Sequence, residues 1–275
     1  MTTALALTLL LAGPTSAKGI QWEKNFDSAM KKAEEHNKPV LIDFWAEWCG
    51  WCHRLDRTTY VDPLVAAKAQ NFVAVKVDTE GSRREMEVVE RYKVNSLPTI
   101  LFLSPRGLQV SRVSTFMGPG RFPFTMDKAL EAARRVSAWE GELERNPDDA
   151  GALLSIGQHL FEQECYAESE EYLARAARHD GDRPVHERRQ TRLLLALVQS
   201  VQRRFAEAET LIKEALSLDP QGEDQPKLLF FLGQTYVSWG RHEMGMETMQ
   251  VIVREHPRSP IARKAQETLV ILGRQ

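Results

Sequence analysis

The feature that most constrains the fold is an apolar run, VLIDFWA, that ends just before a pair of cysteines. The run covers residues 40–46, follows Pro39, and is rich in β-branched and aromatic residues, a composition that predicts a strand buried on both faces. Cys49 and Cys52 follow in the string WCGWCH. The first cysteine is therefore expected at a turn from a strand to a helix.

Three kinds of chemistry use two cysteines at this spacing: covalent haem attachment, half of a zinc site, and a redox-active dithiol. His53 follows Cys52 as in a haem-attachment string, but such a string has no need of a buried strand leading into it. The only other cysteine is Cys165, which is too few for a four-thiolate zinc site. We therefore expect no metal and no cofactor other than the redox-active disulfide between Cys49 and Cys52.

The position of the two cysteines predicts their roles. At the start of a helix, unpaired backbone N–H groups and the helix dipole favour the thiolate, so the pKa of Cys49 should lie below that of an ordinary thiol. Cys49 would then attack a substrate disulfide, and Cys52, which lies deeper, would resolve the mixed disulfide.

Asp43 interrupts the apolar run, where every neighbour is hydrophobic. A carboxylate buried without a partner is costly unless its pKa rises. On the strand that leads to the cysteines, Asp43 is predicted to lie beneath them and to take the proton from Cys52. The alternative is a structural aspartate with hydrogen-bond partners.

Residues 18–138 alternate between helical and strand patterns. The segment SRREMEVVERYKV begins with Ser82 and has Glu85 three residues later, the signature of a capping box at a helix start. The pattern predicts an α/β layer fold with parallel strands, helical crossovers and a final antiparallel hairpin. The other predicted helices are FDSAMKKAEEHNK and FPFTMDKALEAARRVSAW, and the other predicted strands are NFVAVKVDTE, PTILFLSPRG and LQVSRV.

After residues 139–149, which are predicted to be a linker or a helix end, residues 150–275 are helical and repetitive. Gly157 and Gly233 occupy the same register 76 positions apart, which is two repeats of 38. The pattern of small residues and prolines, Ala208, Ala215, Pro220 and Pro257 included, resembles tetratricopeptide repeats with a C-terminal cap helix. A generic helical bundle is the alternative.

The N-terminus predicts export. Ala4 to Ala12 form an apolar run too short to span a bilayer, and small residues precede Lys18. This is the pattern of a signal peptide, residues 1–17, on a periplasmic or otherwise exported protein. Because no Lys or Arg precedes the run, a cytoplasmic protein is the alternative. No membrane span is expected in the mature chain, and a net charge of -2 indicates no nucleic-acid partner.

Together, VLIDFWAEWCGWC, VKVD and YKVNSLPTILFL resemble the thioredoxin superfamily over residues 22–136. The resemblance is greatest to the periplasmic thioredoxin-like domain of membrane thiol:disulfide interchange proteins and its soluble relatives. It implies that Cys49 is the nucleophile, Cys52 the resolving cysteine and Asp43 the buried acid. It also implies a cis peptide at Pro98, with the backbone of the preceding residue beside the cysteines.

The resemblance places the substrate groove around the dithiol, with Gly118 at a position where the family often has a glycine. Trp48 and Trp51 flank the nucleophile, and indoles there can form an apolar docking patch. The expected substrate-binding residues are Trp48, Gly50, Trp51, Leu97 and Pro98.

The sequence departs from the family pattern at positions that tune the redox potential. Gly50-Trp51 stands where thioredoxin usually has Gly-Pro, and Ala74 stands where a lysine often faces the buried acid. Lys76, two residues on, points to the same face of the strand and is expected to replace that lysine. His53 takes the place of a basic residue, where it is expected either to adjust the thiolate or to be an exposed helix residue.

These features predict a thiol:disulfide oxidoreductase, with the reductive or isomerising direction favoured by the resemblance. Its expected partners are protein clients that carry a disulfide or dithiol, and an upstream electron-donor protein. The helical repeats are expected to recruit the client or the redox partner. The alternative is an assembly scaffold that binds proteins through both domains without turnover.

Overall fold

The structure is a computed structural model that describes residues 19–273. The predicted signal peptide, residues 1–17, lies outside the described residues. The chain divides into two compact units, Met1–Arg134 and Arg135–Gln275. Among the described residues, no helix combines the length and apolar character needed to cross a bilayer.

The first unit is built on a five-stranded sheet with the order β1-β3-β2-β4-β5. Strand β2 lies at its centre, parallel to β3 and antiparallel to β4, and β5 completes an antiparallel hairpin with β4. The predicted α/β fold is therefore confirmed. The strands are β1 Trp22–Glu23, β2 Val40–Trp45, β3 Val73–Asp78, β4 Thr99–Leu103 and β5 Gln109–Val113.

Helices cover both faces of this sheet. The predicted capping box is present at the start of the fourth helix, where Ser82 accepts from the Glu85 N–H and the Glu85 carboxylate accepts from the Ser82 N–H. The helices of this unit are α1 Phe26–His36, α2 Gly50–Arg54, a π-helical turn Leu55–Thr59, α3 Pro63–Ala69 and α4 Arg83–Arg91. Neither α3 nor the two-residue strand β1 was predicted, because both are too short to show a clear period.

Strand β2 presents a different environment on each face, because successive side chains alternate between them. Val40, Ile42 and Phe44 are fully buried in an apolar core. Helices α1 and α4 cover this core with Phe26 and Val88, among others. Asp43 lies on the opposite face, and it is also fully buried. The strand is thus buried on both faces as predicted, and one face holds a carboxyl group.

Helix α5, Phe122–Arg145, is longer than the sequence pattern indicated. It continues through the first seven residues of the predicted linker 139–149. The segment SAWEGELER keeps helical spacing, with Trp139 and Leu143 four residues apart, and one glycine inside a helix costs only about 1 kcal/mol. The boundary between the two units therefore falls inside a helix.

The second unit is a run of helices that pack in consecutive pairs, α6 with α7, α8 with α9, and α10 with α11, followed by the cap helix α12 against α11. Each pair turns at a residue with positive φ: Glu164, Arg203 or Gly240. The helices are α6 Ala150–Glu162, α7 Tyr166–Arg178, α8 Val185–Val201, α9 Phe205–Leu218, α10 Gln225–Ser238, α11 His242–Glu255 and α12 Pro260–Leu272.

The glycine register of the repeats has a steric cause. A Cβ atom on Gly157 would lie 2.6 Å from Cγ of Leu173 on the paired helix, and one on Gly233 would lie 2.8 Å from Cε of Met249. Both apolar partners are fully buried. The paired helices therefore approach closely at the positions where the sequence repeats its glycines.

Candidate active site

Cys49 and Cys52 are joined by a disulfide at the point where β2 gives way to α2, with their Cα atoms 5.3 Å apart. Cys49 caps the helix: its Sγ accepts a hydrogen bond from the backbone N–H of Cys52 at 3.2 Å. Cys49 is 4% exposed and Cys52 is 1% exposed. The sequence-based expectation that Cys52 lies deeper agrees with this difference.

Asp43 lies on the same face of the sheet as the hydroxyl of Tyr60, which donates to Oδ1 of Asp43 at 2.9 Å. Its other oxygen, Oδ2, accepts no well-directed hydrogen bond among the described residues, but lies 3.2 Å from Nζ of Lys76. Burial raises the pKa of Asp43 from 3.8 to about 6, against the opposing influence of Lys76 and Tyr60. The carboxyl group is thus poised to exchange a proton near neutral pH.

Lys76 is the cation of the site. It lies opposite Asp43 in the register of β2 and β3, and its Nζ also contacts Oδ1 of Asp56. The ammonium group lies over three rings, 5.2 Å from the centroid of Trp22, 5.7 Å from Trp45 and 5.5 Å from Tyr60. Lys76 therefore lies opposite the buried acid, where the sequence placed it. It also pairs with a second carboxylate, that of Asp56.

Asp56 and Tyr60 were missed by the sequence analysis. Asp56 is four residues after Cys52 and Tyr60 is four residues after Asp56, so helical spacing puts all three toward the sheet. This spacing of four residues is the sequence signal that could have identified Asp56 and Tyr60. Burial and the Asp43 carboxylate together raise the pKa of Tyr60, so its hydroxyl stays protonated and can donate.

The peptide between Leu97 and Pro98 is cis, as the resemblance implied. Leu97 is half-buried and packs against the small cluster formed by Ala46, Cys49 and Cys52. The residue before the proline therefore lies at the disulfide, in the place expected for a substrate-binding residue.

The two tryptophans that flank Cys49 are exposed, Trp48 by 67% and Trp51 by 53%. The Trp48 indole N–H donates to Oε1 of Glu80 at 2.7 Å. The Trp51 ring lies 5.3 Å from the ring of Phe116, and the Arg54 guanidinium lies over both rings. Both indoles therefore lie exposed beside the disulfide and are not part of the core.

The remaining predicted residues lie around the motif. A ring nitrogen of His53 is 2.7 Å from the carbonyl oxygen of Glu47, and its ring is 6.5 Å from that of Trp45. Gly50, between the cysteines, has open space where a Cβ would project. Gly118 lies beside the Phe116 ring, 3.9 Å from where its own Cβ would be. Residues 19–273 contain no cluster of three or more metal-ligating side chains.

Comparison with protein families matches both units. A model described as thioredoxin-like matches residues 21–105, and one described as a tetratricopeptide repeat matches residues 127–184. The first match covers the sheet and the disulfide. The second begins in helix α5 and ends after the first helix pair of the repeats.

Curated relatives match about a third of the chain. The thiol:disulfide interchange protein DsbD of Vibrio vulnificus is 35% identical over 108 residues, which are 38% of this chain and 17% of that protein. DsbD 1 of Pseudomonas aeruginosa is 33% identical over 102 residues, 35% of this chain and 17% of that protein. The chain thus spans about one sixth of the length of these relatives.

Solved structures match a comparable share of the chain. A DsbH oxidoreductase is 22% identical with a TM-score of 0.39, and the match covers 46% of this chain and 95% of that one. The sheet and disulfide described above, together with both family matches, support one conclusion. Residues 21–105 form a thioredoxin-like domain related to that of the thiol:disulfide interchange proteins, and a tetratricopeptide-like helical array follows it.

Proposed function

We propose that this protein is a thiol:disulfide oxidoreductase that reduces or isomerises disulfides in exported protein clients. One observation carries the proposal: a disulfide stands at the start of α2, and a fully buried carboxyl group, Asp43, lies on the strand that leads to it. A binding module has no need of a buried carboxyl group whose pKa is raised to about 6. A dithiol that must lose a proton during each turnover does need one.

The reaction starts from the reduced dithiol. The Cys49 thiolate attacks one sulfur of the client disulfide, the client S–S bond breaks, and a mixed disulfide forms while the first client sulfur leaves as a thiolate. Cys52 then gives its proton to Asp43 and attacks the Cys49 sulfur. The second client thiolate leaves, and the Cys49–Cys52 disulfide forms. Two electrons have passed to the client, and an external dithiol, the upstream redox partner, must return them.

The charges around Asp43 suit this role. With a pKa of about 6, the carboxyl group is mostly ionised at pH 7 and can accept a proton. Tyr60 and Lys76 hold the ionised form in place through a hydrogen bond and an ion pair. Asp56, on the far side of Lys76, shares the same cation, and so limits how strongly Lys76 stabilises the Asp43 carboxylate.

The repeats supply the second half of the proposal. Stacked helix pairs present extended surfaces that bind peptides or partner helices. Joined to a dithiol domain, they would hold a client or redox partner and raise its effective concentration at Cys49. The signal-peptide pattern of residues 1–17 supports an exported, periplasmic setting, in which client disulfides persist.

An insulin-reduction assay with dithiothreitol as electron donor tests the catalytic proposal. We expect the wild-type protein to accelerate reduction and Cys49→Ser to fall to the uncatalysed rate. Cys165→Ser is the matched control, because it removes the one cysteine outside the motif and should retain the activity. Equal background rates for wild type and Cys49→Ser would instead support a scaffold without turnover.

The direction of electron flow needs a separate measurement. Known members of this fold span about 150 mV in reduction potential. Equilibration with reduced and oxidised glutathione gives the potential of the Cys49–Cys52 couple. A value on the reducing side supports the proposal, whereas one near that of the strongest oxidants would reverse the proposed direction.

A further inference from the structure

Beside the disulfide, an arginine lies over two neighbouring aromatic rings. The guanidinium carbon of Arg54 lies 5.2 Å from the centroid of the Trp51 ring and 5.1 Å from that of Phe116. The two rings lie 5.3 Å apart with their planes tilted by 39°. We call Arg54, Trp51 and Phe116 the arginine stack. Since Trp51 lies between the two cysteines in the chain, the stack borders the reactive sulfurs.

Arg54 is exposed, and in the part of the chain from 19 to 273 no carboxylate pairs with it. Arg84, another exposed arginine of this unit, differs because it pairs with both Asp27 and Glu87. The rings hold the Arg54 guanidinium in one orientation through cation–π contacts, while its N–H edge remains available to an incoming group.

The other exposed indole has the opposite surroundings. The Trp48 N–H donates to the Glu80 carboxylate, and Glu47 precedes Trp48 in the chain. The docking surface around Cys49 therefore has one indole beside a cation and one beside an acid. A client segment that meets this surface experiences charges of known sign at each indole.

We propose that the arginine stack is a specificity determinant that selects client segments with an acidic side chain close to the reactive cysteine. A client Asp or Glu would receive two parallel N–H···O hydrogen bonds from the guanidinium, the geometry that arginine and carboxylate favour. The two rings preorganise the guanidinium, so little side-chain entropy is lost on binding. This inference rests on the proposed function, since it concerns the same disulfide and its clients.

The test uses matched disulfide-linked peptide dimers. The two peptides of a pair differ at one position only, where one carries Glu and the other Gln. The positions tested, one per pair, are the two before and the two after the cysteine. Reduction is followed with dithiothreitol as donor, and the Glu:Gln ratio of kcat/KM is measured at low salt. For at least one position we expect a ratio of about threefold in the wild type, the size of an exposed charge pair. Added salt should reduce it.

Variants assign the preference to the stack. Arg54→Met should bring the ratio to one, and Phe116→Leu should lower it because one ring no longer holds the guanidinium. Arg57→Met is the matched control. Arg57 is exposed, lies in the π-helical turn three residues after Arg54 and carries the same charge, so its replacement should keep the wild-type ratio.

The outcomes separate the two proposals. If the wild type reduces the Gln peptides but shows a ratio of one at every position, or if Arg54→Met keeps the preference, the selectivity inference is overturned and the catalytic proposal stands. If the wild type reduces none of the peptides, the catalytic proposal fails and the inference fails with it.

Discussion

Asp43 and Lys76 lie opposite each other on β2 and β3, and Nζ of Lys76 is 3.2 Å from Oδ2 of Asp43. The ion pair is buried on the carboxylate side and partly exposed on the ammonium side. Despite this cation, burial still dominates, and the pKa of Asp43 remains raised to about 6. The pair therefore keeps a carboxyl group that changes its charge in the pH range where thiols exchange.

Replacement of Asp43 by Asn should stabilise the oxidised protein at alkaline pH. The pKa of Asp43 is raised from 3.8 to about 6 on folding, so the folded state holds this proton more tightly than the unfolded state does. Stability consequently falls as pH rises from about 4 to about 6, by up to about 3 kcal/mol. Urea unfolding at pH 8 should show Asp43→Asn to be more stable than wild type, and at pH 3 the gain should vanish.

Asp127→Asn is the control for this measurement, because Asp127 forms an exposed ion pair with Lys68. Its effect should stay within about 0.5 kcal/mol at both pH values. If Asp43→Asn gained equal stability at pH 3 and pH 8, the loss of stability with rising pH would not come from the ionisation of this carboxyl group.

Replacement of Lys76 by Met should shift the pH dependence of catalysis upward. Lys76 lowers the pKa of Asp43, so its loss raises that pKa, and the base becomes ionised only at higher pH. The methionine would remain among the rings of Trp22, Trp45 and Tyr60, which supports folding. Stopped-flow measurement of the rate at which Cys52 resolves the mixed disulfide, as a function of pH, checks this.

Lys68→Met serves as the comparison, since it removes a lysine from α3 that pairs with Asp127 instead. Its profile should coincide with that of the wild type. A profile for Lys76→Met that is unchanged, or displaced toward acid, would show that Asp43 is not the base for this step.

The two cysteines should behave differently when replaced. Cys52→Ser retains Cys49, the cysteine at the helix start, and lacks the resolving thiol, so it should accumulate a mixed disulfide with a client peptide. Cys49→Ser should trap little, because Cys52 is buried deeper. Mass spectrometry of the adducts under non-reducing conditions measures both. More adduct on Cys49→Ser than on Cys52→Ser would reverse the assignment of nucleophile and resolving cysteine.

Two glycines in helices of the second unit should respond oppositely to alanine. At Gly157 a Cβ would lie 2.6 Å from Cγ of Leu173, so Gly157→Ala should destabilise the repeats by about 1–3 kcal/mol. At Gly141, inside α5, nothing lies within 4 Å of the added Cβ, so Gly141→Ala should stabilise by about 0.5–1 kcal/mol. Thermal unfolding of both variants checks the signs. A stabilising Gly157→Ala would show that α6 and α7 are less tightly packed than described.

The elements predicted from the sequence are those with long or capped patterns. The buried strand β2 was found from its apolar run, and α4 from Ser82 and Glu85. The pattern failed where elements are short, as in β1 and α3, and where helical spacing continues past a polar stretch, as in α5. Periodicity needs several turns to become distinct. In α5, Gly141 and the polar residues around it indicated an early end, although the helix continues to Arg145, just before Pro147.

By itself, the sequence determined the local features of the candidate site and of the repeats: two cysteines at a strand-to-helix turn, a buried acid before them and a glycine-marked helical repeat after them. These are local patterns, set by neighbours along the chain. Only the tertiary structure decided that Asp56 shares Lys76 with Asp43, and that Phe116 completes the stack around Arg54. Such contacts join distant segments, and they depend on the register of β2 and β3 and on how the segment after β5 packs, which no local pattern encodes.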